Sequence, residues 1–358
     1  MKKHRGLKRF ICVLGVIVLF FAVINIIPPK KNVASNPFIV GRGELPMIAA
    51  HRGGSISNPE NTVLAFKEAV NTIGVDILEG DLYLTKDGKL VMNHDSYVDE
   101  TCNINGDISL AEVKELCKDK ANRHYISDLT FEELGGYNFG YYFENKDGER
   151  IYKDVADHAT AGLQMVTLDQ LFELFYDSHP ELMFIMEIKP SGEEGKSACK
   201  ELMNTLDKYP EYKDNIVIGT FNDEIEAELK ANYPSLLRGA PMGSAAKFVF
   251  TQYLGVNLFD NGDFACLQIP MSYDVGVEIP LCSKSLVRRA HRRNISVQYW
   301  TINDPDEMRR LIEMGVDCIM TDDLNMFHFQ IHTFPFNLLQ FFLIVVYAHT
   351  KALTTSCL

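Results

Sequence analysis

Residues 75–95 read VDILEGDLYLTKDGKLVMNHD, and this stretch carries most of the fold prediction. Its first half is an apolar run typical of a buried strand, and Lys86, Asp87 and Gly88 form a turn signal after it. The second apolar run, at 89–95, predicts a hairpin partner for that strand. Carboxylates and a histidine interrupt both runs near their ends, which indicates strands that carry functional groups.

Similar short apolar runs recur after Met47 and alternate with amphipathic stretches. This alternation predicts parallel strands that are joined by helices. Eight strands over about 280 residues favour a closed TIM (β/α)8 barrel over an open sheet. The predicted strands cover residues 47–53, 75–81, 183–189, 216–221, 236–242, 264–270, 296–302 and 316–322.

Two of the connecting helices have sequence signals at both ends. The stretch PENTVLAFKEAVNTIG at 59–74 has a proline at its predicted first turn and a glycine at its end. The stretch DPDEMRRLIEMG at 304–315 repeats this pattern. Proline at the start and glycine past the end are typical of helix boundaries, so both helices are predicted to have defined limits.

The composition is that of a globular chain without affinity for nucleic acid. Of the 358 residues, 46% are hydrophobic and 23% are charged, so the chain can bury enough apolar surface to fold. The net charge of −13 repels phosphate backbones. The eight cysteines show no CxxC pair, which argues against a zinc site, and only Cys102 and Cys117 are a candidate disulfide in an oxidising compartment.

The N-terminal segment predicts a transmembrane helix. Residues 10–27 read FICVLGVIVLFFAVINII, without a charge, and a helix of this length rises about 27 Å, close to the roughly 30 Å of a hydrocarbon core. A cleaved secretory signal is the alternative, although its apolar region is usually about 7–15 residues long. Residues 1–31 hold seven basic residues and no acid, which predicts a cytoplasmic N-terminus and an extracytoplasmic barrel.

The barrel is predicted to have three further segments around it and one within it. Residues 96–166 interrupt the β/α alternation with polar and aromatic sequence, and we expect either a lid or substrate wall, or an accessory packing unit. Residues 334–348 are apolar but short for a membrane span, so an interfacial segment, a docking helix and a second span stay open. The segments are a basic end with the anchor (1–31), a linker (32–46), the barrel (47–323) and an apolar tail (324–358).

Polar side chains gather where the first predicted strands end. Active sites of TIM barrels form at the C-terminal ends of the strands, so these side chains are expected to share one site. They are His51 and Arg52 on the first strand, Glu79 and Asp81 on the second, His94 and Asp95 on the hairpin strand, and Glu187 and Lys189 on the third.

Three of these side chains predict a metal site. Glu79 and Asp81 are two residues apart and point to the same side of a strand, where they can meet Glu187. Three close carboxylates require a counter-charge, and an all-oxygen ligand set favours Ca²⁺ or Mg²⁺. A structural ion network with Arg52 and Lys189 is the alternative.

The remaining polar side chains suit reactions at phosphorus. His51 and His94 can serve as base and acid, because the ordinary pKa of imidazole, near 6.5, allows proton transfer in both directions. Arg52 offers a planar fork to a phosphate group, and Lys189 offers a point charge. Together these groups indicate phosphoryl transfer.

The motifs resemble those of the glycerophosphodiester phosphodiesterase family, in order and over nearly all of residues 47–323. The resemblance implies a TIM-barrel hydrolase that uses a divalent metal to cleave glycerophosphodiesters into sn-glycerol 3-phosphate and an alcohol. The matching motifs are HRGG (51–54), PENT (59–62), VDILEGDLYLTKDGKLVMNHD (75–95), MEIKP (186–190), VQYWTIND (297–304) and GVDCIMTDD (315–323).

The resemblance also implies roles for single residues. By motif, the catalytic residues are His51 and His94, the metal ligands are Glu79, Asp81 and Glu187, and the substrate contacts are Arg52, Lys189 and Trp300. A plug inside the barrel is the alternative role for Trp300. The family's mechanism implies attack of the substrate's own glycerol hydroxyl on phosphorus and then hydrolysis of a cyclic phosphate, with the roles of the two histidines left open.

Two other functions stay open at this point. The anchor and the aromatic insertion favour a lysophospholipase D-type cleavage of lysophospholipids by the same site. A non-catalytic barrel that binds lipid headgroups is a third hypothesis, opposed by the presence of every acid, base and metal role. The identity of the metal and of the alcohol does not follow from the residues.

Overall fold

The computed structural model describes residues 2–327, with side chains from Lys8 onward. Eight parallel strands form a nearly closed barrel, and a parallel bridge between Gly239 and Cys266 links its two edges, which confirms the predicted TIM-barrel fold. The strands are β1 (Met47–Ala50), β2 (Ile77–Leu84), β3 (Leu90–Met92), β4 (Met183–Ile188), β5 (Ile216–Gly219), β6 (Leu237–Arg238), β7 (Cys266–Ile269), β8 (Ser272–Asp274), β9 (Glu278–Pro280), β10 (Ser296–Tyr299) and β11 (Cys318–Thr321). The barrel order is β6-β5-β4-β2-β1-β11-β10-β7.

Strand β2 continues past the barrel into the predicted hairpin. Strand β3 pairs antiparallel with the end of β2, with Leu82 opposite Met92, so the hairpin prediction is confirmed. Within the barrel, β2 pairs with β4 and places Asp81 opposite Glu187. The pairing therefore brings two of the predicted metal ligands side by side.

The helices pack around the strands, and their ends follow local chemistry. The last helix of the set begins with Pro305 and ends before Gly315, which has a φ of 73°, as its sequence predicts. The first helix after β1 begins later than predicted, because the Thr62 hydroxyl accepts a hydrogen bond from the Ala65 N–H and caps it, so Pro59 is not in its first turn. The helices are α1 (Lys2–Ile26), α2 (Val63–Glu68), α3 (Leu110–Leu116), α4 (Phe131–Leu134), α5 (Leu168–Phe175), α6 (Gly192–Leu206), α7 (Asp223–Asn232), α8 (Met242–Tyr253), α9 (Lys284–His291) and α10 (Pro305–Met314).

The segment before β1, predicted as a linker, closes the N-terminal end of the barrel. The Phe38 ring is fully buried and packs on the apolar side chains that fill the barrel interior. The Asn36 amide donates a 2.8 Å hydrogen bond to the carbonyl of Ala265, and the Val40 N–H donates to the Asp317 carboxylate. These contacts make the segment part of the barrel's packing.

Residues 96–166 supply most of two apolar clusters, one of which also includes Val91 of β3. One cluster includes Cys102 and the other Cys117, and both residues are free cysteines in separate surroundings. The Lys146 ammonium lies 3.1 Å from the Asp323 carboxylate, just after β11, and attaches the unit to the strand-end face of the barrel. This arrangement corresponds to the accessory packing unit, and the function of the unit as a lid stays a prediction.

The two chain ends differ in how far the structure describes them. The part of α1 from Lys8 to Ile26 is long and apolar enough to cross a membrane, a property that signal sequences share. The beginning of the predicted tail belongs to the barrel core, because Leu324 and Phe327 are buried there. The apolar stretch at 334–348 lies outside the described residues.

Phe38 acts as a plug at the N-terminal end of the barrel. Replacing it with alanine tests whether this plug stabilises the barrel. We expect the free energy of unfolding to fall by about 3 kcal/mol or more, because this change at a fully buried phenylalanine usually costs about 3–5 kcal/mol. Urea unfolding followed by circular dichroism gives the value. The control Phe250→Ala removes the same ring from an exposed position and is expected to cost about 0.5 kcal/mol or less. Equal losses in the two variants would contradict the plug role.

Candidate active site

The predicted site residues meet at the C-terminal ends of β1, β2 and β4. His51 and Arg52 lie in a short 3₁₀ turn directly after β1, whereas the predicted strand included them. Arg52 has a φ of 51°, and its N–H donates a 3.0 Å hydrogen bond to the Glu79 carboxylate. The turn thus ties the end of β1 to the first acidic side chain of β2.

His51 is held by an aspartate that follows β11. The Nδ1 atom of His51 lies 2.6 Å from the Asp322 carboxylate. Asp322 also accepts hydrogen bonds from the Ser55 hydroxyl at 2.7 Å and the Asn303 amide at 2.9 Å. Three donors around one carboxylate fix its position and therefore fix the imidazole ring.

The His51–Asp322 contact changes the pKa of both groups. Burial by itself raises the pKa of Asp322, but the hydrogen bonds from His51, Asn303 and Ser55 outweigh it and lower the pKa to about 2. Burial by itself lowers the pKa of His51, but Asp322 and the nearby Glu79 outweigh it and raise the pKa. Because Asp322 is ionised near neutral pH, it only accepts, so the proton of neutral His51 sits on Nδ1.

The acidic side chains of β2 and β4 lie in a buried ion network. Burial, and then repulsion from Asp81, raise the pKa of Glu79 to about 8. The Lys189 ammonium lies 3.1 Å from the Asp81 carboxylate and 3.3 Å from the Glu187 carboxylate. The Arg52 Nε atom lies 3.6 Å from the other Asp81 oxygen. The structure therefore contains the ion network that was the alternative to a metal site.

The same residues have features both against and for the binding of a divalent cation. Among residues 8–327, no three His, Cys, Asp or Glu side chains converge as a metal site, and Lys189 lies between two of the acids. However, one buried oxygen of Asp81 has no hydrogen-bond partner, nor does the amide of the buried Asn61. Carboxylate and amide oxygens that accept no hydrogen bond lie beside Glu79, whose pKa is raised, and fit a hard cation chemically, although Arg52 Nε lies 3.6 Å from the Asp81 oxygen.

His94 lies at the more open side of the site. Its side chain is 38% exposed, and Nδ1 lies 3.3 Å from the Asp95 carboxylate. The hydrogen bond from His94, and then the positive charges of Arg52 and Lys189, lower the pKa of Asp95 against the opposing effect of burial. Because Arg52 and Lys189 affect Asp95, the His94–Asp95 pair lies near the ion network. Both predicted catalytic histidines therefore lie at the same mouth of the barrel.

Trp300 directly follows β10 and is partly buried. Its ring packs against the apolar cluster inside the barrel, which is the packing that the plug alternative requires. The residue is also at the strand-end face where the site lies. Its role in substrate binding stays a prediction.

Sequence reasoning missed three residues of this site. Asp322 and Asn303 follow the last two barrel strands, and the rule that selected His51 would have selected them too. Asn61 belongs to the quoted PENT motif but received no role. Its amide lies close to Gly80, because a Cβ added there would be 3.7 Å from the Asn61 oxygen.

Comparisons with known proteins agree with this geometry. Residues 51–326 match the model of the Glycerophosphoryl diester phosphodiesterase family. A protein of Caldanaerobacter subterraneus subsp. tengcongensis named Glycerophosphodiester phosphodiesterase is 28% identical over 277 residues, covering 77% of this chain and 94% of that protein. The range 51–326 matched by the family model spans the positions of the predicted catalytic residues and metal ligands.

Solved structures share the barrel. A glycerophosphoryl diester phosphodiesterase domain from Mycobacterium tuberculosis has a TM-score of 0.61 and 18% identity, covering 80% of this chain and 98% of that chain. An Oleispira antarctica phosphodiesterase, solved in complex with the product sn-glycerol-3-phosphate, has a TM-score of 0.56 and 20% identity, covering 81% and 98%. At these identities the structures establish the fold.

The substitution Asp322→Asn tests whether the Asp322 carboxylate raises the pKa of His51. We expect the pKa of His51 to fall, because the negative charge and the hydrogen bond that favour imidazolium are lost or weakened. A titration of the imidazole protons by NMR measures this directly. The neighbouring substitution Asp323→Asn removes a carboxylate that pairs with Lys146 instead, and it should leave the His51 titration close to that of the unchanged protein. An unchanged pKa in Asp322→Asn would contradict the assignment.

Proposed function

Because this chain belongs to the glycerophosphoryl diester phosphodiesterase family, we propose that it hydrolyses glycerophosphodiesters to sn-glycerol 3-phosphate and an alcohol. One observation carries the proposal: a histidine held by a carboxylate lies beside a buried group of acids and cations at the mouth of the barrel. This arrangement contains the groups for proton transfer and for binding a phosphate. The chain is accordingly a phosphoric diester hydrolase.

Enzymes of this family generally depend on a divalent metal, and we assign its ligands to Glu79, Asp81 and Glu187. Their oxygens suit Ca²⁺ or Mg²⁺. When bound, such a cation neutralises phosphate charge and lowers the pKa of a nearby hydroxyl. The Asp81 oxygen that accepts no hydrogen bond and the raised pKa of Glu79 support this assignment.

His51 transfers protons through its Nε2 atom in this proposal. Its Nδ1 proton is donated to Asp322, so Nε2 is the nitrogen left to accept or release a proton. His94 is the second acid-base group and is more exposed, which suits exchange of protons with solvent. One histidine removes the proton of the substrate's glycerol hydroxyl, and the other protonates the leaving alkoxide.

Arg52 and Lys189 supply positive charge for the phosphate group. The Nε atom of Arg52 makes no hydrogen bond, only an ion-pair contact of 3.6 Å with Asp81, and we assign its N–H to a phosphate oxygen. The Lys189 ammonium pairs with Asp81 and Glu187, the two acids that a divalent cation would share. Trp300 is assigned to the wall of the substrate cleft by its motif and by its place after β10.

Helix α1 is proposed to anchor the enzyme in a membrane with the barrel on the extracytoplasmic side. Its apolar part runs from Lys8 to Ile26, and no acidic residue occurs before Glu44. The basic residues before the apolar part favour a cytoplasmic N-terminus. Segment 32–46 then leads directly into the barrel.

The variants His51→Ala and Glu79→Gln test the catalytic assignment. We expect each to lower the rate of sn-glycerol 3-phosphate release from glycerophosphocholine by about 10²-fold to 10⁴-fold, because one loses a proton-transfer group and the other a metal ligand. An enzymatic assay for sn-glycerol 3-phosphate gives the rate. The control His179→Ala removes an imidazole before β4, at the opposite end of the barrel, and is expected to keep full activity. Substantial activity in either test variant would refute the assignment.

A substrate and metal panel tests the reaction itself. After chelation we expect no activity, and after addition of Ca²⁺ or Mg²⁺ in separate samples we expect it to return with at least one of them. Glycerophosphocholine should then give sn-glycerol 3-phosphate faster than lysophosphatidylcholine gives lysophosphatidic acid, as mass spectrometry of the products would show. Faster cleavage of the lysolipid would favour the lysophospholipase D alternative. Full activity without any divalent cation would contradict the metal assignment.

A further inference from the structure

We propose that the N-terminal end of the barrel docks on a lipid bilayer that contains anionic phospholipids, with the active-site mouth turned away from the bilayer. The inference rests on the proposed anchorage by α1. It adds a second contact with the membrane, made by the barrel itself. Because the active-site mouth then faces away from the bilayer, the substrates that reach it are water-soluble diesters.

Helix α1 contacts the barrel near its C-terminal end. Side chains 8–23 are exposed, and Ile24 is the first buried one. The Arg292 guanidinium donates 2.8 Å hydrogen bonds to the carbonyls of Asn25 and Ile27. The Asn25 amide donates to the carbonyl of Gly255. The helix therefore projects away from the barrel and is tied at its end.

These ties are at the barrel end opposite to the active site. Gly255 lies between α8 and β7, and Arg292 lies between α9 and β10, so both are in loops that precede strands. His51 and Asp322 follow strands. The four residues of β1 alone separate the two faces by about 13 Å. A bilayer entered by α1 thus lies beyond the closed end of the barrel.

An exposed apolar patch surrounds the attachment point. The rings of Phe250 and Phe259 are 64% and 63% exposed, and Tyr253 and Leu254 between them are at least half exposed. A Cβ added at Gly255 would lie 3.7 Å from the Phe21 ring of α1. The patch is therefore continuous with the apolar surface of the membrane helix. Aromatic side chains at such a position are typical of membrane interfaces.

Basic residues complete the surface beside this patch. Among residues 8–327, Arg288, Arg289 and Arg292 have no carboxylate within ion-pair distance, and the Nε atom of Arg289 is buried without a hydrogen-bond partner. Arg289 and Arg292 line a shallow surface depression together with Ile24, Ile27 and Pro29. The unpaired guanidinium groups of Arg288 and Arg289 beside these apolar side chains suit the phosphate of an anionic phospholipid.

The single tryptophan of the chain provides a built-in reporter for the orientation. Trp300 lies at the active-site end, so its emission should be nearly unaffected by brominated acyl chains when the full-length protein is reconstituted in vesicles. The variant Phe259→Trp/Trp300→Phe moves the reporter to the patch, and we expect brominated lipids to quench most of its emission. Quenching of Trp300 equal to or stronger than that of the patch reporter would overturn the proposal.

The role of the arginines is tested in the same reporter variant. Quenching at position 259 should be stronger in vesicles with phosphatidylglycerol than in pure phosphatidylcholine. Adding Arg288→Gln/Arg289→Gln should abolish that difference, whereas the matched control Lys86→Gln/Lys200→Gln, which removes two exposed charges elsewhere, should preserve it. Equal quenching in both lipids before any arginine is replaced would overturn the headgroup contact.

Flotation on a density gradient separates failure of the docking from failure of the anchorage. Protein that floats with the vesicles but shows no quenching at position 259 would contradict the docking alone. Protein that does not float would contradict the anchorage and the docking together. Activity on glycerophosphocholine, measured on the unchanged protein in the same vesicles, tests the proposed hydrolysis independently of both.

Discussion

The balance of buried charge at the barrel mouth is the constraint on which the site depends. Glu79, Asp81 and Glu187 end neighbouring strands, and their burial raises the pKa of Glu79 and Glu187. Arg52 and Lys189 partly compensate these acids through the contacts described above. A charge cluster of this kind is costly in a low-dielectric interior unless partners are held in place. The barrel supplies that rigidity, since the acids project from hydrogen-bonded strands.

The other end of the molecule satisfies a different requirement. A barrel has two open ends, and the one without the site is closed by Phe38 and by polar contacts from residues 32–46. Asp317 has a central place there, because its carboxylate accepts from the N–H groups of Val40 and Val297 and contacts His291. The closed end thereby connects helix α1 with the strands. Catalytic and attachment surfaces are separated along the barrel axis.

The fold and the site were predictable from the sequence to different degrees. The eight strands were predicted because each is a short apolar run, and the residues on β1, β2 and β4 because their charges interrupt such runs. Asp322 could have been selected as a polar residue at the end of β11, but its pairing with His51, 271 positions away, gives no local signal. The packing of Phe38 was also missed, since a lone aromatic among Pro, Gly and Asn gives no periodic signal. The start of α2 was misplaced because Thr62 competes with Pro59 as the local signal.

Residues 32–46 both connect α1 to the barrel and pack into its closed end, which has a consequence for proteolysis of this segment. A protease that cuts between Ile27 and Asn32 would free a domain that keeps its Phe38 plug. A cut a few residues later, between Phe38 and Met47, would free a barrel whose interior is open to water at one end. The position of a cut by a few residues therefore decides whether the separated barrel keeps the side chain that closes its N-terminal end.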